Sequence, residues 1–124
     1  MAVYSRKAID HLVNPRNARN LDAPSGLGRA INDDQDVVTF AIRVEGDIIT
    51  DAGFQAQGCA ACIATASIAT ELVIGQSVGT AAAITVATLS DALGGIPATK
   101  LPRTEVTATA VRVAVEDYRS RTDS

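Results

Sequence analysis

A chain of 124 residues suits a single domain, residues 1–124, with a core of its own, and excludes two domains. It is 47% hydrophobic but only 3% aromatic and lacks Trp, so the core has to be built from Val, Ile, Leu and Ala. With a net charge of -3, nothing suggests a nucleic-acid partner, which would call for a basic face, and none is expected.

The opening Met1–Lys7 is followed by no apolar run of the kind a secretion signal carries. The weakly polar stretch Thr80 to Leu89 is broken by threonines and is too short to cross a bilayer. A cytoplasmic protein with no membrane partner is therefore expected. In that compartment a cysteine pair reads as thiols, ligands or redox groups rather than as a structural disulfide.

Tyr4, Ala8, Ile9, Leu12 and Val13 recur at helical spacing, and Asn14-Pro15 ends that helix. Arg16 to Asp36, rich in Asn, Gly, Pro and Asp, reads mostly as loop. Val37 to Val44 alternates as a strand, Glu45-Gly46-Asp47 is a turn, and Ile48 to Gln57 returns antiparallel. A hairpin alone is marginal, so one of its faces must be covered by helices.

Gly58-Cys59-Ala60-Ala61-Cys62 then opens a buried helix that runs through Ile63 to Ile74 and ends at Gly75. Ser77 is placed to cap a second helix reaching about Val86. A short third helix spans Ser90 to Leu93, closed by Gly94-Gly95. Ile96 to Arg103, with its prolines, reads as loop. Thr104 is placed to cap a last helix to about Arg119.

Cys59 and Cys62 are the only cysteines. At this spacing on a helix they share a face and can point at one object. The helix start offers free N–H groups and partial positive charge, which favour thiolate, the form that binds soft metals, accepts sulfur or attacks a disulfide. The spacing suits half a zinc site, two ligands of an iron–sulfur cluster or a dithiol redox centre. The plainer alternative is a pair of small buried residues in an alanine-rich helix. Gly58 argues against that alternative, because glycine lets the backbone turn sharply and expose the side chain after it. A four-sulfur site would need two such chains. Otherwise the acidic group Asp33, Asp34 and Asp36, whose ordinary role is a solvated loop, could complete the shell. No histidine or acid stands beside the cysteines in sequence as a hydrolase would need, so no enzyme is expected.

Several segments together are similar to the IscU/NifU-type scaffold domains of iron–sulfur cluster assembly. They are Tyr4–His11 with Asn14-Pro15-Arg16-Asn17, Asp51–Cys59, Ile63–Ser67, Glu71-Leu72-Val73, Gly75-Gln76-Ser77, Lys100, and Ala114–Tyr118. The resemblance implies an α+β fold in which a three-stranded antiparallel sheet packs against several helices. It also implies a site where cysteines, an aspartate and a histidine converge from separate segments. On that pattern Cys59 is retained, Asp36 is the retained aspartate, and Asp34 stands where a first cysteine would be. Lys100-Leu101-Pro102-Arg103 stands where a lysine and an apolar residue precede His-Cys, so Pro102 and Arg103 replace two ligands. Cys62 is an addition. Asp34, Asp36, Cys59 and Cys62 are thus the candidate metal ligands, with Gly58, Lys100 and Arg103 lining the site. The Arg103 cation either stabilises a thiolate or persulfide or pairs with an aspartate and closes the site. His11, the only histidine, matches a position outside the site and reads as structural.

The implied cargo is an iron–sulfur cluster or iron, with zinc in the purified form, or no metal at all. The implied partners are a cysteine desulfurase, a second copy of the chain, and an Hsp70-type chaperone reading Ile96–Lys100, where Ala98 departs from the usual second proline. The functional expectations are a variant scaffold or carrier, a persulfide carrier, or a regulatory paralogue that holds no cluster.

Overall fold

A computed structural model describes residues 4–122. The chain order is α1 (Arg6–Val13), β1 (Gly26–Ile31), β2 (Val37–Glu45), β3 (Ile48–Gln57), α2 (Ala60–Val73), α3 (Val78–Ala82), α4 (Val86–Ala92), a 3-10 turn (Leu101–Thr104) and α5 (Glu105–Thr122). The strands form one antiparallel sheet in the order β1-β2-β3.

The predicted hairpin is present, with Phe40 opposite Phe54 and a two-residue Gly46-Asp47 loop between the paired Glu45 and Ile48. Gly46 and Asp47 have φ of 57° and 65°, the left-handed geometry whose twist matches the flanking strands. Val38, Phe40, Ile42, Ala52 and Phe54 are buried on the face that meets the helices.

The β1 segment reads as loop in the sequence, and the structure corrects this. Gly26-Leu27-Gly28-Arg29 lacks the β-branched run that signals a strand. It is a strand because it pairs with β2 and because its glycines admit α5. A Cβ on Gly26 would lie 2.2 Å from the Ala114 carbonyl oxygen, and one on Gly28 would lie 2.2 Å from that of Ala110. The sheet therefore carries a helix backbone directly on an edge strand.

α2 is the central helix. Ten of its residues are buried, most of them Ala, Ser or Thr, which lets sheet, α1 and α5 approach it closely. Its buried hydroxyls are matched: Thr65 with Thr107 at 2.9 Å, and Ser67 with His11 Nδ1 at 2.7 Å. Among the described residues no buried side-chain nitrogen or oxygen lacks a partner.

The later helices differ from expectation in their boundaries. The helix starting at Ser77 stops at Ala82. Ile84-Thr85-Val86 is β-branched throughout, and Thr85 starts a new helix by accepting from Thr88 N at 3.2 Å. That helix absorbs the predicted Ser90–Leu93 segment and is closed by Gly95 N donating to Ser90 O at 2.8 Å. Arg103 belongs to the 3-10 turn rather than to a loop. Thr104 does not cap α5, because the turn runs straight into it and the Thr104 hydroxyl donates to Leu101 O at 2.7 Å. No helix among the described residues is long and apolar enough to cross a membrane.

The contact between β1 and α5 makes a direct prediction. Gly28→Ala should lower the unfolding free energy by about 2 kcal/mol, because backbone has to yield to the new methyl. Leu27→Ala, on the exposed face, should cost less than about 1 kcal/mol. Urea denaturation of the two variants measures the difference, and equal stabilities would show that the glycine is not required.

Candidate functional site

The β1–β2 connection, the β3–α2 turn and the 3-10 turn meet at one buried carboxylate, that of Asp36. The connection is shaped by Asn32. Its Oδ1 accepts from the N–H of Asp34 at 3.0 Å and of Asp36 at 2.9 Å. Its Nδ2 donates to Asp36 Oδ2 at 2.8 Å and to the Arg103 carbonyl at 3.1 Å. Gln35 completes the tight turn with a φ of 68°.

From the second segment, Cys59 N donates to Asp36 Oδ1 at 2.9 Å. Gly58 makes this approach possible. Its φ is 136°, and a Cβ there would sit 2.0 Å from Asp36 Oδ1. From the third segment, Arg103 donates through Nη2 to Oδ1 and through Nε to Oδ2, each at 2.8 Å. An ionised carboxylate offers about four acceptor positions. Cys59 N, Asn32 Nδ2 and the two Arg103 nitrogens occupy all of them.

The cysteines stand beside this network. Cys59 caps α2 in an extended conformation, with no side-chain cap bond. Its Sγ lies 3.3 Å from that of Cys62, whose S–H also reaches the Arg103 carbonyl at 3.7 Å. Donor atoms of Asp36, Cys59 and Cys62 lie within 4.8 Å of one another, a group able to hold a metal ion.

Two expectations about the thiols need correction. Cys62 is not near the surface but fully buried, while Cys59 is half-buried. The helix start does not make Cys62 a ready thiolate either. Burial, the hydrogen bond to Cys59 and the charges of Cys59 and Asp36 push its thiol far above the usual range.

Asp34 does not join the donor group. Its side chain is 58% exposed, and it pairs with Arg103 Nε at 3.7 Å. Lys100 precedes the 3-10 turn, and its carbonyl accepts from Arg103 N at 3.1 Å. His11 is buried between α1 and α2, outside the donor group, and burial lowers its pKa.

Two residues of the site are missed by reasoning from sequence. Asn32 carries a usable signal, since Asn two residues before Asp34 marks an Asx-turn. Tyr4 carries none, because only the fold brings it to the cysteines. Its hydroxyl pKa is raised by burial and by the charges of Cys59 and Cys62, while the Ala61 backbone N–H pulls it down.

The model of the NifU-like N terminal domain matches residues 3–124. An iron–sulfur cluster assembly scaffold protein, IscU 1 of Archaeoglobus fulgidus, is 40% identical over 117 residues, covering 94% of this chain and 76% of that one. The scaffold protein IscU of Aquifex aeolicus is 36% identical over 118 residues, covering 93% and 75%. A crystal structure of a putative SUF-system scaffold from Fervidobacterium islandicum superposes with a TM-score of 0.74 over 90% of this chain and 96% of that one. At 17% identity it speaks for the fold alone, which is the expected α+β arrangement.

The Asp36 network predicts a pH signature. The Arg103 hydrogen bonds, aided by Asn32 and Cys59 N–H and opposed by burial, hold the Asp36 carboxyl far below the usual carboxylate range. A depressed folded-state pKa contributes stability above the ordinary carboxyl pKa of about 3.9, and that stability is lost as pH falls below it. Asp36→Asn should cost about 3 kcal/mol at neutral pH. Its deficit relative to the parent should shrink steadily from about pH 4 downward. Denaturation of both proteins across that range tests this, and a pH-independent deficit would refute the role of the charge.

Proposed function

The chain belongs to the NifU-like N-terminal domain family, and we propose that it is an iron–sulfur cluster assembly protein that holds iron or a cluster as cargo through Cys59 and Cys62. The observation that carries this is the meeting of two sulfurs and a carboxylate within 4.8 Å at the junction of three segments.

The donor chemistry fits in part. Two thiolates suit iron or zinc, and a carboxylate is an acceptable harder ligand. Asp36, however, is fully engaged, so it can serve a metal only after Arg103 lets go. Arg103 is thus a gate. With it closed, one chain offers sulfur alone, and four-sulfur coordination needs a second copy contributing its own pair. Loading also has a proton cost, since Cys62 is held as thiol and must release its proton to bind. Asp34 is an outer partner of the gate rather than a ligand.

On this reading the protein is a carrier rather than an enzyme. It works in the cytoplasm with a cysteine desulfurase as sulfur source, and the Ile96–Lys100 segment is offered to an Hsp70-type chaperone. A second reading, persulfide transport by Cys59, is favoured by the charge attraction between the Arg103 guanidinium and Cys59.

Anaerobic reconstitution with ferrous iron and sulfide, followed by absorption spectroscopy, metal analysis and size measurement, tests the proposal. The parent should load a cluster and become a dimer, and Cys59→Ser should load none. Arg103→Ala should bind ferrous or zinc ion about tenfold more tightly, since freeing Asp36 adds a donor. Unchanged affinity would remove the gate. Failure to load any metal, with sulfur appearing on Cys59 after incubation with a desulfurase and cysteine, would replace the carrier of clusters by a carrier of sulfur.

A further inference from the structure

The sulfur pair has a chemistry that needs neither metal nor sulfide. We propose that Cys59 and Cys62 are a thiol–disulfide redox pair: Cys59 exchanges with a small-molecule disulfide such as oxidised glutathione, and Cys62 then closes an intrachain disulfide. This goes beyond the metal-holding reading and does not depend on it.

Distance is the first argument. The sulfurs are 3.3 Å apart, and a disulfide bond is about 2.0 Å, so closure asks for about 1.3 Å of approach. Side-chain rotation of Cys59 can supply it. Cys59 is the cap residue, outside the helical turn, and its side chain makes no capping hydrogen bond that would have to break. The backbone around it is held in place: Cys59 N is tied to Asp36 and Cys62 N to the Cys59 carbonyl at 3.0 Å. The spacing of the pair is therefore maintained while the side chain turns.

Accessibility is the second argument. Cys59 is half-buried and can be reached from solvent, whereas Cys62 is fully buried at the end of the same contact. An oxidant meets Cys59 first, and Cys62 can meet only Cys59. Exposed attacking sulfur and buried resolving sulfur are the division of labour that intrachain exchange requires. The same burial protects Cys62 from linking to another chain.

In the first step the Cys59 thiolate attacks one sulfur of the disulfide. A Cys59–glutathione bond forms, the glutathione S–S bond breaks, and the released glutathione thiolate takes up a proton equivalent to the one Cys59 gave up. Cys62 releases its proton and attacks Cys59 Sγ as the thiolate; the Cys59–Cys62 bond forms, the Cys59–glutathione bond breaks, and the departing glutathione thiolate takes up an equivalent proton. Two electrons have passed from the protein sulfurs to glutathione, which leaves as two thiols. Both sulfurs are then withdrawn from any other partner.

The test uses chelator-treated, metal-free protein in glutathione buffers of rising oxidised fraction, read by thiol titration and non-reducing intact mass. The expected result is joint loss of both thiols in a monomer that retains no glutathione, reversed by a dithiol reductant. Peptide mapping of the parent should place the bond between Cys59 and Cys62. Cys62→Ala, set among helix alanines, should trap glutathione on Cys59, while Cys59→Ala should take up none in the same time. Thiols that persist in excess oxidised glutathione, a stable glutathione adduct on the parent, or disulfide-linked dimers would each overturn the proposal. Because no metal is present, none of these outcomes bears on cluster loading.

Discussion

The carboxylate of Asp36 is the tie on which this site depends. It is fully buried, yet its acceptor positions are filled by donors from separate parts of the chain: the Asn32 turn, the start of α2, and the 3-10 turn before α5. A buried charge is tolerated only when it is paired and hydrogen-bonded, and this one is both. Loss of any partner would leave the others facing an unsatisfied ion, so the segments are mutually dependent. Gly58 answers to the same constraint, because any side chain there would occupy the space of the carboxylate.

That tie also sets the character of the sulfur site. Arg103 neutralises the carboxylate and projects its own carbonyl toward Cys62. At rest Asp36 is therefore closed to other partners, with one sulfur accessible and one enclosed. Relatives named as cluster scaffolds align with more than nine tenths of this chain at 36% and 40% identity. In this chain the third segment supplies a permanent cation, Arg103, and its two hydrogen bonds make Asp36 an occupied acceptor.

The surrounding fold is built on small residues rather than large ones. Gly26 and Gly28 let α5 rest on β1, and the Ala, Ser and Thr faces of α2 let it sit at the centre. Close backbone approach gives dense dispersion contact without aromatic side chains. It also makes the positions of α2 and α5 rigid relative to the sheet, which keeps Cys59 and Arg103 within reach of Asp36.

The sequence by itself determined the hairpin, the glycine-led cysteine pair at a helix start, the kinship of the chain and, through that kinship, the meeting of Asp36, Cys59 and Arg103. These rest on local signals: alternation from Val37 to Val44, a positive-φ turn at Gly46, and ordered motifs. It did not reveal β1, whose glycines look like loop until a helix lies on them, nor the break at Ile84-Thr85 between two caps that compete at short range. Only the tertiary structure decided that Cys62 is enclosed while Cys59 is accessible, that Arg103 takes the aspartate-pairing role by occupying Asp36, and that Asn32 and Tyr4 belong to the site. The physical reason is that burial and hydrogen-bond saturation are properties of the neighbours a residue acquires on folding. The hydrogen bonds that gather those neighbours here span up to 71 residues of the chain.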